Sequence, residues 1–295
     1  MREAKERVAM TVANRCIRPI IMRWLLTSFT AKRILQGEKK ISLDLGLSLE
    51  EITIEKNRVI FPDNQKLSLE KLRKIAKDKR SVYFLENGIL YKAQFFDSKS
   101  NRFYKLIIAR ENSPPTLEIS GIHMHRIKDI DPLQDTERKV FSIPIGGVGL
   151  DICTGLGYTA IMASKRCSKV ITIEKDKNVL AIARLNPWSA ELFKSKKISI
   201  ILSDAFYFIS ALRKKFDFII HDPPRYAMAP ELYSQDFYIK LFNALKDGRY
   251  MFHYTGKPEM KKGKRILANI KTRLKKAGFT VKWKEEALGY VCKKP

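Results

Sequence analysis

Asp222-Pro223-Pro224-Arg225 joins a carboxylate to two prolines. A carboxylate and a backbone carbonyl that both accept the protons of an amine raise the electron density on its nitrogen. This matters most for an exocyclic base amine, whose lone pair is delocalised into the ring. Asp222 would supply the carboxylate, and the two prolines, which fix φ and lack an amide donor, would hold a carbonyl outward. The stretch closes the apolar run Phe216-Asp217-Phe218-Ile219-Ile220-His221, so it reads as the end of a buried strand. Asp-Pro is also an ordinary turn, and other residues must decide between the two readings.

Upstream lies Asp151-Ile152-Cys153-Thr154-Gly155-Leu156-Gly157. A glycine turn between a strand and a helix lets a ligand approach the backbone closely. Three acids follow strand-like runs in succession. Asp151 could orient the ammonium end of an amino-acid moiety, Glu174 could accept both hydroxyls of a ribose, and Asp204 could meet the exocyclic amine of an adenine. Each acid alone suits a loop or a helix cap; three at successive strand ends suit a nucleoside-like ligand. Thr154, Tyr158, Lys175 and Ala205 flank these positions and complete the candidate cofactor set. A dinucleotide dehydrogenase would share the loop and the second acid. It would normally open its sheet near the N-terminus with a full GxGxxG, whereas Gly157 is followed by Tyr158-Thr159-Ala160.

The elements that must position these groups alternate. Strands are expected at 147–151, 169–174, 198–202, 216–221 and 250–254. Helices are expected at 159–167, 178–185, 205–212, 231–245 and 264–276, with an antiparallel pair at 280–283 and 288–291 to close. This is an α/β, Rossmann-like, mostly parallel sheet with an antiparallel last strand. Before it, residues 1–40 are basic and helical in pattern, 41–47 alternate like a strand, and 67–77 form a short helix with a Ser68/Glu70 start. Tyr83, Phe84, Tyr91, Phe95, Phe96, Phe103 and Tyr104 crowd a strand meander that turns at Asn87-Gly88. The division expected is a basic α+β module at 1–112 that positions RNA, a connecting segment at 113–140 near the cofactor cleft with Ser113-Pro114-Pro115 as linker, and a catalytic domain at 141–295.

A net charge of +26, spread over both halves, points to a polyanionic partner. The segment from Lys257 to Lys276, with Lys261, Lys262, Lys264 and Arg265, is a candidate phosphate track. His125 or Arg126 could hold a carboxylate or phosphate. His123 and His125, with no acid cluster beside them, do not make a metal site. No apolar stretch approaches the roughly 20 residues that cross a bilayer, and four scattered cysteines suit reduced thiols in a cytoplasm.

Residues 141–292 resemble the class I S-adenosylmethionine-dependent methyltransferase fold. Asp222-Pro223-Pro224 resembles the (Asp/Asn/Ser)-Pro-Pro-aromatic motif of enzymes that methylate base amines. Gly121-Ile122-His123-Met124-His125-Arg126, Asp151 to Thr159, Asn186-Pro187-Trp188-Ser189 and His221 to Arg225 are similar to a family of predicted archaeal methyltransferases. The resemblance implies S-adenosylmethionine at Asp151, Gly155, Gly157, Glu174 and Asp204, and the target amine at Asp222 and Pro223. Two positions depart from it. Cys153 stands where many methyltransferases have the first loop glycine, and Arg225 where base-amine enzymes carry a stacking aromatic. A guanidinium plane can stack on a base, and Tyr226 is adjacent. The function expected is methylation of an exocyclic amine, cytosine slightly preferred, in ribosomal or transfer RNA. The alternatives are an aminopropyltransferase that makes polyamines, an RNA-binding assembly factor without catalysis, and a DNA or protein methyltransferase. Position, number of methyls and oligomeric state are open.

Overall fold

The computed structural model of the chain describes residues 23–212, 215–256 and 261–295, with side chains in the last stretch from 265 onward. Residues 1–22 and the side chains of Lys261, Lys262 and Lys264 lie outside the described residues. The chain divides into two compact units: residues 1–132 with 178–190, and residues 133–177 with 191–295.

The second unit is built on seven strands: β1 (Val148–Ile152), β2 (Lys169–Glu174), β3 (Ile198–Leu202), β4 (Phe216–His221), β5 (Leu245–Tyr254), β6 (Thr280–Lys284) and β7 (Gly289–Lys293). Their order is β3-β2-β1-β4-β5-β7-β6. β1 to β5 pair in parallel, and β7 runs antiparallel to both β5 and β6. This is the mostly parallel Rossmann-like sheet with an antiparallel last strand that the alternation of elements predicts. Its helices are α1 (Pro132–Val140), α2 (Tyr158–Ser164), α3 (Lys177–Ala183), α4 (Ala190–Lys194), α5 (Ala205–Ser210), α6 (Gln235–Ala244) and α7 (Lys261–Lys276). Most of α3 falls in segment 178–190 and clusters with the first unit.

This topology brings the two chemical stretches together. The chain leaves β1 toward β2 on one side and later returns to place β4 on the other, so the strand order reverses between β1 and β4. Open α/β sheets bind ligands outside the carboxyl ends of their strands at such a switch point. Ile152 pairs with His221, so the glycine loop and the Asp222 turn start side by side. The core beneath is Leu150, Ile152, Phe216, Ile219, Leu241 and Leu245, all buried.

In this unit β5 and the helix after β4 differ from expectation for local reasons. β5 begins at Leu245 rather than 250, because Leu245 pairs with Phe216 across an irregularity in register; the charged stretch Lys246-Asp247-Gly248-Arg249 hides that strand in the sequence. The helix expected over 231–245 is a 3-10 turn, Pro230–Tyr233, and then α6. Ser234 separates them, its hydroxyl accepting the Phe237 amide at 3.1 Å as an N-cap.

The first unit holds antiparallel sheets. Trp24–Leu26, Tyr83–Glu86 and Ile89–Lys92 form one, and Gln94–Asp97, Arg102–Ile107, Thr116–Ile119 and Ile122–His123 another. Asn87 and Gly88 both take positive φ, as a two-residue hairpin turn requires. The helix Leu69–Lys77 starts at a Ser68 cap. Ser113-Pro114-Pro115, expected as a linker, is buried and runs into the strand at Thr116. The strand expected at 41–47 is largely a turn: Asp44 accepts the amides of Leu47 and Ser48 and the hydroxyls of Ser42 and Ser48, which competes with a ladder. Phe84, Phe95 and Tyr104 are core, while Phe96 is exposed. Among the described residues no helix is long and apolar enough to cross a membrane.

Candidate active site

The loop after β1 is shaped by three left-handed residues, Cys153 (φ 72), Gly155 (φ 56) and Gly157 (φ 81). At Gly157 a Cβ would sit 2.6 Å from Leu192, so that glycine is a packing requirement. At Gly155 a Cβ would meet only the Cys153 carbonyl, at 4.0 Å, so the backbone there faces open space. Cys153 adopts the conformation a glycine would take at the same place. That conformation carries about 1–2 kcal/mol of strain for an L-residue.

The acids around this loop are placed differently from one another. Asp151 is fully buried, and Oδ2 accepts the Thr172 hydroxyl at 2.6 Å, which in turn accepts from Thr154 at 2.6 Å. Its Oδ1 has no hydrogen-bond partner among the described residues. Burial pushes the Asp151 carboxyl up to about 7, against the pull of the Thr172 and Thr159 hydroxyls. Glu174, at the end of β2, accepts the Gly155 and Asp176 amides, each at 3.0 Å, and burial raises its carboxyl too. Asp204 caps α5 through the Phe206 amide at 2.9 Å, and its other oxygen lies 3.8 Å from the Lys175 ammonium. Lys175 also reaches Glu231 at 3.4 Å. Thr154, Tyr158 and Ala205 are drawn into the interior.

Beside this loop, Asp222 is held in a way its sequence does not announce. Lys139 on α1 donates to Asp222 Oδ2 at 2.8 Å and lies 2.9 Å from Asp135 Oδ2. The Lys139 side chain is 2% exposed and that of Asp222 17%. The ammonium also rests 3.9 Å from the centroid of the Tyr254 ring. Burial opposes the charge on Lys139, but Asp222 and Asp135 overcome it and hold the ammonium protonated. Burial raises the Asp222 carboxyl while Lys139 opposes the rise. Oδ1 of Asp222 makes no hydrogen bond among the described residues. The turn itself is pinned: the Tyr233 hydroxyl donates to the Pro224 carbonyl at 2.7 Å. Arg225 is exposed, and Tyr226 packs edge-on against Tyr233.

Behind the turn, His221 and His253 stack at 4.4 Å. His221 Nε2 donates to the Leu232 carbonyl, and the Tyr238 hydroxyl lies 2.9 Å from His253 Nε2. Burial lowers the His221 imidazole to about 4 and His253 well below its ordinary value, so both are neutral supports. In the first unit, His125 contacts the Thr116 hydroxyl at 2.8 Å, and His123 lies between Arg80 and Glu118. Lys139, Asp135, Thr172, Tyr233 and Tyr254 were not evident from the sequence. Asp135 and Lys139 form an i,i+4 pair on a polar helix, a pattern that usually marks a solvated face.

Residues 132–285 match the family model described as the spermine/spermidine synthase domain. An uncharacterized protein of Methanocaldococcus jannaschii is 44% identical over 282 residues, covering 92% of this chain and 95% of the relative. Polyamine aminopropyltransferase 2 of Aquifex aeolicus is 31% identical over 109 residues, 36% of this chain and 21% of its own length. A polyamine aminopropyltransferase of Saccharolobus islandicus is 30% identical over 99 residues, 32% of this chain and 33% of its own. The chain therefore spans a third or less of these aminopropyltransferases. Among solved structures, a spermidine synthase in complex with the transition-state analogue AdoDATO superposes with a TM-score of 0.55 at 18% identity, over 68% of this chain and 72% of that one. The spermidine synthase of Thermotoga maritima gives 0.53 at 18%, over 68% and 71%. At that identity the likeness is one of fold.

Proposed function

The chain belongs to the spermine/spermidine synthase domain family, and from that premise we propose that it is an S-adenosylmethionine-dependent methyltransferase of an exocyclic base amine in RNA. The residues present fit the cofactor. Asp151 offers a buried carboxylate oxygen without a partner, suited to an ammonium. Gly155 leaves room against the backbone, and Glu174 and Asp204 stand at the ends of the neighbouring strands. When bound, S-adenosylmethionine supplies a methyl group made electrophilic by its sulfonium charge.

The protein's own part is positioning. Asp222 Oδ1 and the Pro223 carbonyl would accept the two amine protons, aligning the nitrogen lone pair and excluding water from it. The proton the nitrogen loses on alkylation would pass to Asp222 Oδ1, whose side chain is 17% exposed, and from there to solvent.

The observation that carries methyl transfer to a base over aminopropyl transfer to a polyamine is the Lys139–Asp222 pair. Polyamine substrates are cationic and call for uncompensated carboxylates, whereas this carboxylate already carries an ammonium. The net charge of +26 points the same way. The aminopropyltransferase relatives favour the second reading, and one experiment separates the two. The protein is incubated with S-adenosylmethionine or its decarboxylated form, with ribosomal and transfer RNA from cells lacking it, or with putrescine. The methyl reading expects methylated cytidine, adenosine or guanosine by nucleoside mass spectrometry. Aminopropylated putrescine with untouched RNA would replace it by the polyamine reading.

A further inference from the structure

Asp135 and Lys139 lie one turn apart on α1 and point the same way. Two carboxylates and an aromatic face surround the Lys139 ammonium: Asp222 at 2.8 Å, Asp135 at 2.9 Å and the Tyr254 ring at 3.9 Å. A lysine so enclosed has no room to follow a moving substrate, but it can fix what it touches. It occupies one Asp222 oxygen and leaves the other without a hydrogen bond to it. Resting on the methyl-transfer reading above, we propose that Lys139 is the positioning residue of this site: it holds Asp222 as an anion presenting a single acceptor oxygen, and it makes the site select an uncharged amine over a cationic alkylamine.

The electrostatics support this from every side. Asp222 is faced by Lys139 and Asp135 from α1, by Asp151 and Cys153 at the end of β1, and by Tyr233, while Tyr254 from β5 covers the Lys139 ammonium. Of these six groups only Lys139 is a cation. Without it Asp222 would lose the cation that opposes both its burial and the neighbouring Asp135 carboxylate, and would take up a proton more readily. A protonated carboxyl donates where the amine needs an acceptor. A neutral base amine offers N–H donors to Oδ1 at no electrostatic cost, whereas an alkylammonium meets the Lys139 charge just behind it. Removing Lys139 therefore impairs the first ligand and favours the second.

The test uses the full-length protein labelled with carboxyl-13C aspartate, the Asp222 signal being the one lost in Asp222→Asn. Two variants should move its titration in opposite directions. Lys139→Met raises the midpoint by about one pH unit or more, and Asp135→Asn, which removes the competing anion, lowers it. In RNA methylation assays Lys139→Met should lower kcat by about tenfold or more and shift the acid limb upward, with KM for RNA little changed. Lys139→Arg should recover part of the rate. Putrescine binding, followed by calorimetry, should be stronger in Lys139→Met than in the wild type. An Asp222 titration unmoved by both variants overturns the proposal, as does a Lys139→Met enzyme with the wild-type pH profile. If Lys139→Met does not fold, the sign of the Asp135→Asn shift decides. Wild-type protein that methylates no RNA defeats the methyl-transfer reading instead, and the titration still judges Lys139.

Discussion

At the scale of single residues the site combines one expected carboxylate with one unexpected cation. Asp222 stood out because its carboxylate and two prolines close an apolar run downstream of a glycine loop and three acids at strand ends. Lys139 did not, because nothing in an i,i+4 Asp–Lys pair tells that the lysine will be 2% exposed; burial depends on which face of α1 meets the sheet. Asp222→Ala should reduce transfer on the order of a hundredfold or more while S-adenosylhomocysteine affinity stays within a few-fold, since the proposed carboxylate contact is to the amine. Normal turnover would return Asp222 to a strand-end turn. Asp151 makes a pH prediction. Its carboxyl titrates near 7 in the folded protein and near 3.9 in an unfolded chain, so the native state holds the extra proton between those values. Its stabilising contribution is complete at low pH and is lost as pH rises toward 7, by a few kcal/mol at most. Urea unfolding at pH 5 and pH 8 should show a smaller loss in Asp151→Asn than in the wild type; an equal loss would assign the effect elsewhere. Cys153 separates strain from packing. Cys153→Gly should be more stable than Cys153→Ala by about 1 kcal/mol, because both lose the thiol but only alanine keeps a Cβ at φ 72. Thermal melts of the pair check it.

At the scale of elements, legibility followed local signal. β2, β3 and β4 could be placed to the residue because each is a short apolar run bounded by polar breaks. β5 could not, since its first half is charged and owes its strand state to pairing with β4. The pairing of Ile152 with His221, which sets the two chemical loops side by side, is a tertiary fact that follows from strand order rather than from either stretch. The ends of elements also carry double duties. Asp204 caps α5 and is a candidate adenine contact, and the two can be separated. Asp204→Ala should cost about 1 kcal/mol of stability, whereas Asp204→Ser should keep the cap. If the carboxylate touches cofactor, both variants lose S-adenosylhomocysteine affinity although only one loses stability. Affinity that tracks stability would leave Asp204 as a cap alone. The Asp222 turn is likewise pinned from the next element through Tyr233.

At the scale of the whole molecule the charge is the dominant feature, and it is carried on identifiable surfaces. α7 buries Ile270 and Leu274 and turns Arg265, Lys271, Lys275 and Lys276 outward. The helix Leu69–Lys77 of the first unit buries Leu72 and Ile75 and exposes Lys71, Arg73, Lys74 and Lys77. Both helices were expected from the sequence, but not that segment 178–190 clusters with the first unit. There Asn178 donates to Asp97 at 3.2 Å and the Trp188 indole to the Leu45 carbonyl at 3.2 Å. Deleting the N-terminal module would strip those partners, so the RNA-binding role proposed for it is better tested by charge than by truncation. If exposed cations on these helices contact phosphate, RNA affinity should fall steeply with salt, because each neutralised phosphate releases counterions. Replacing Lys271, Lys275 and Lys276 by glutamine, or Lys71, Arg73 and Lys77 in a second variant, should weaken binding about equally across RNA sequences. Each replacement that removes a phosphate contact should flatten the slope of log K against log salt by roughly one unit. The variant with the larger change in slope marks the helix that lies along the backbone. Because these side chains are exposed, thermal melting should stay close to wild type, which separates lost contacts from lost structure. Affinity insensitive to salt and to both sets of replacements would remove the polyanion argument and leave a small molecule or a protein as the acceptor of the transferred group.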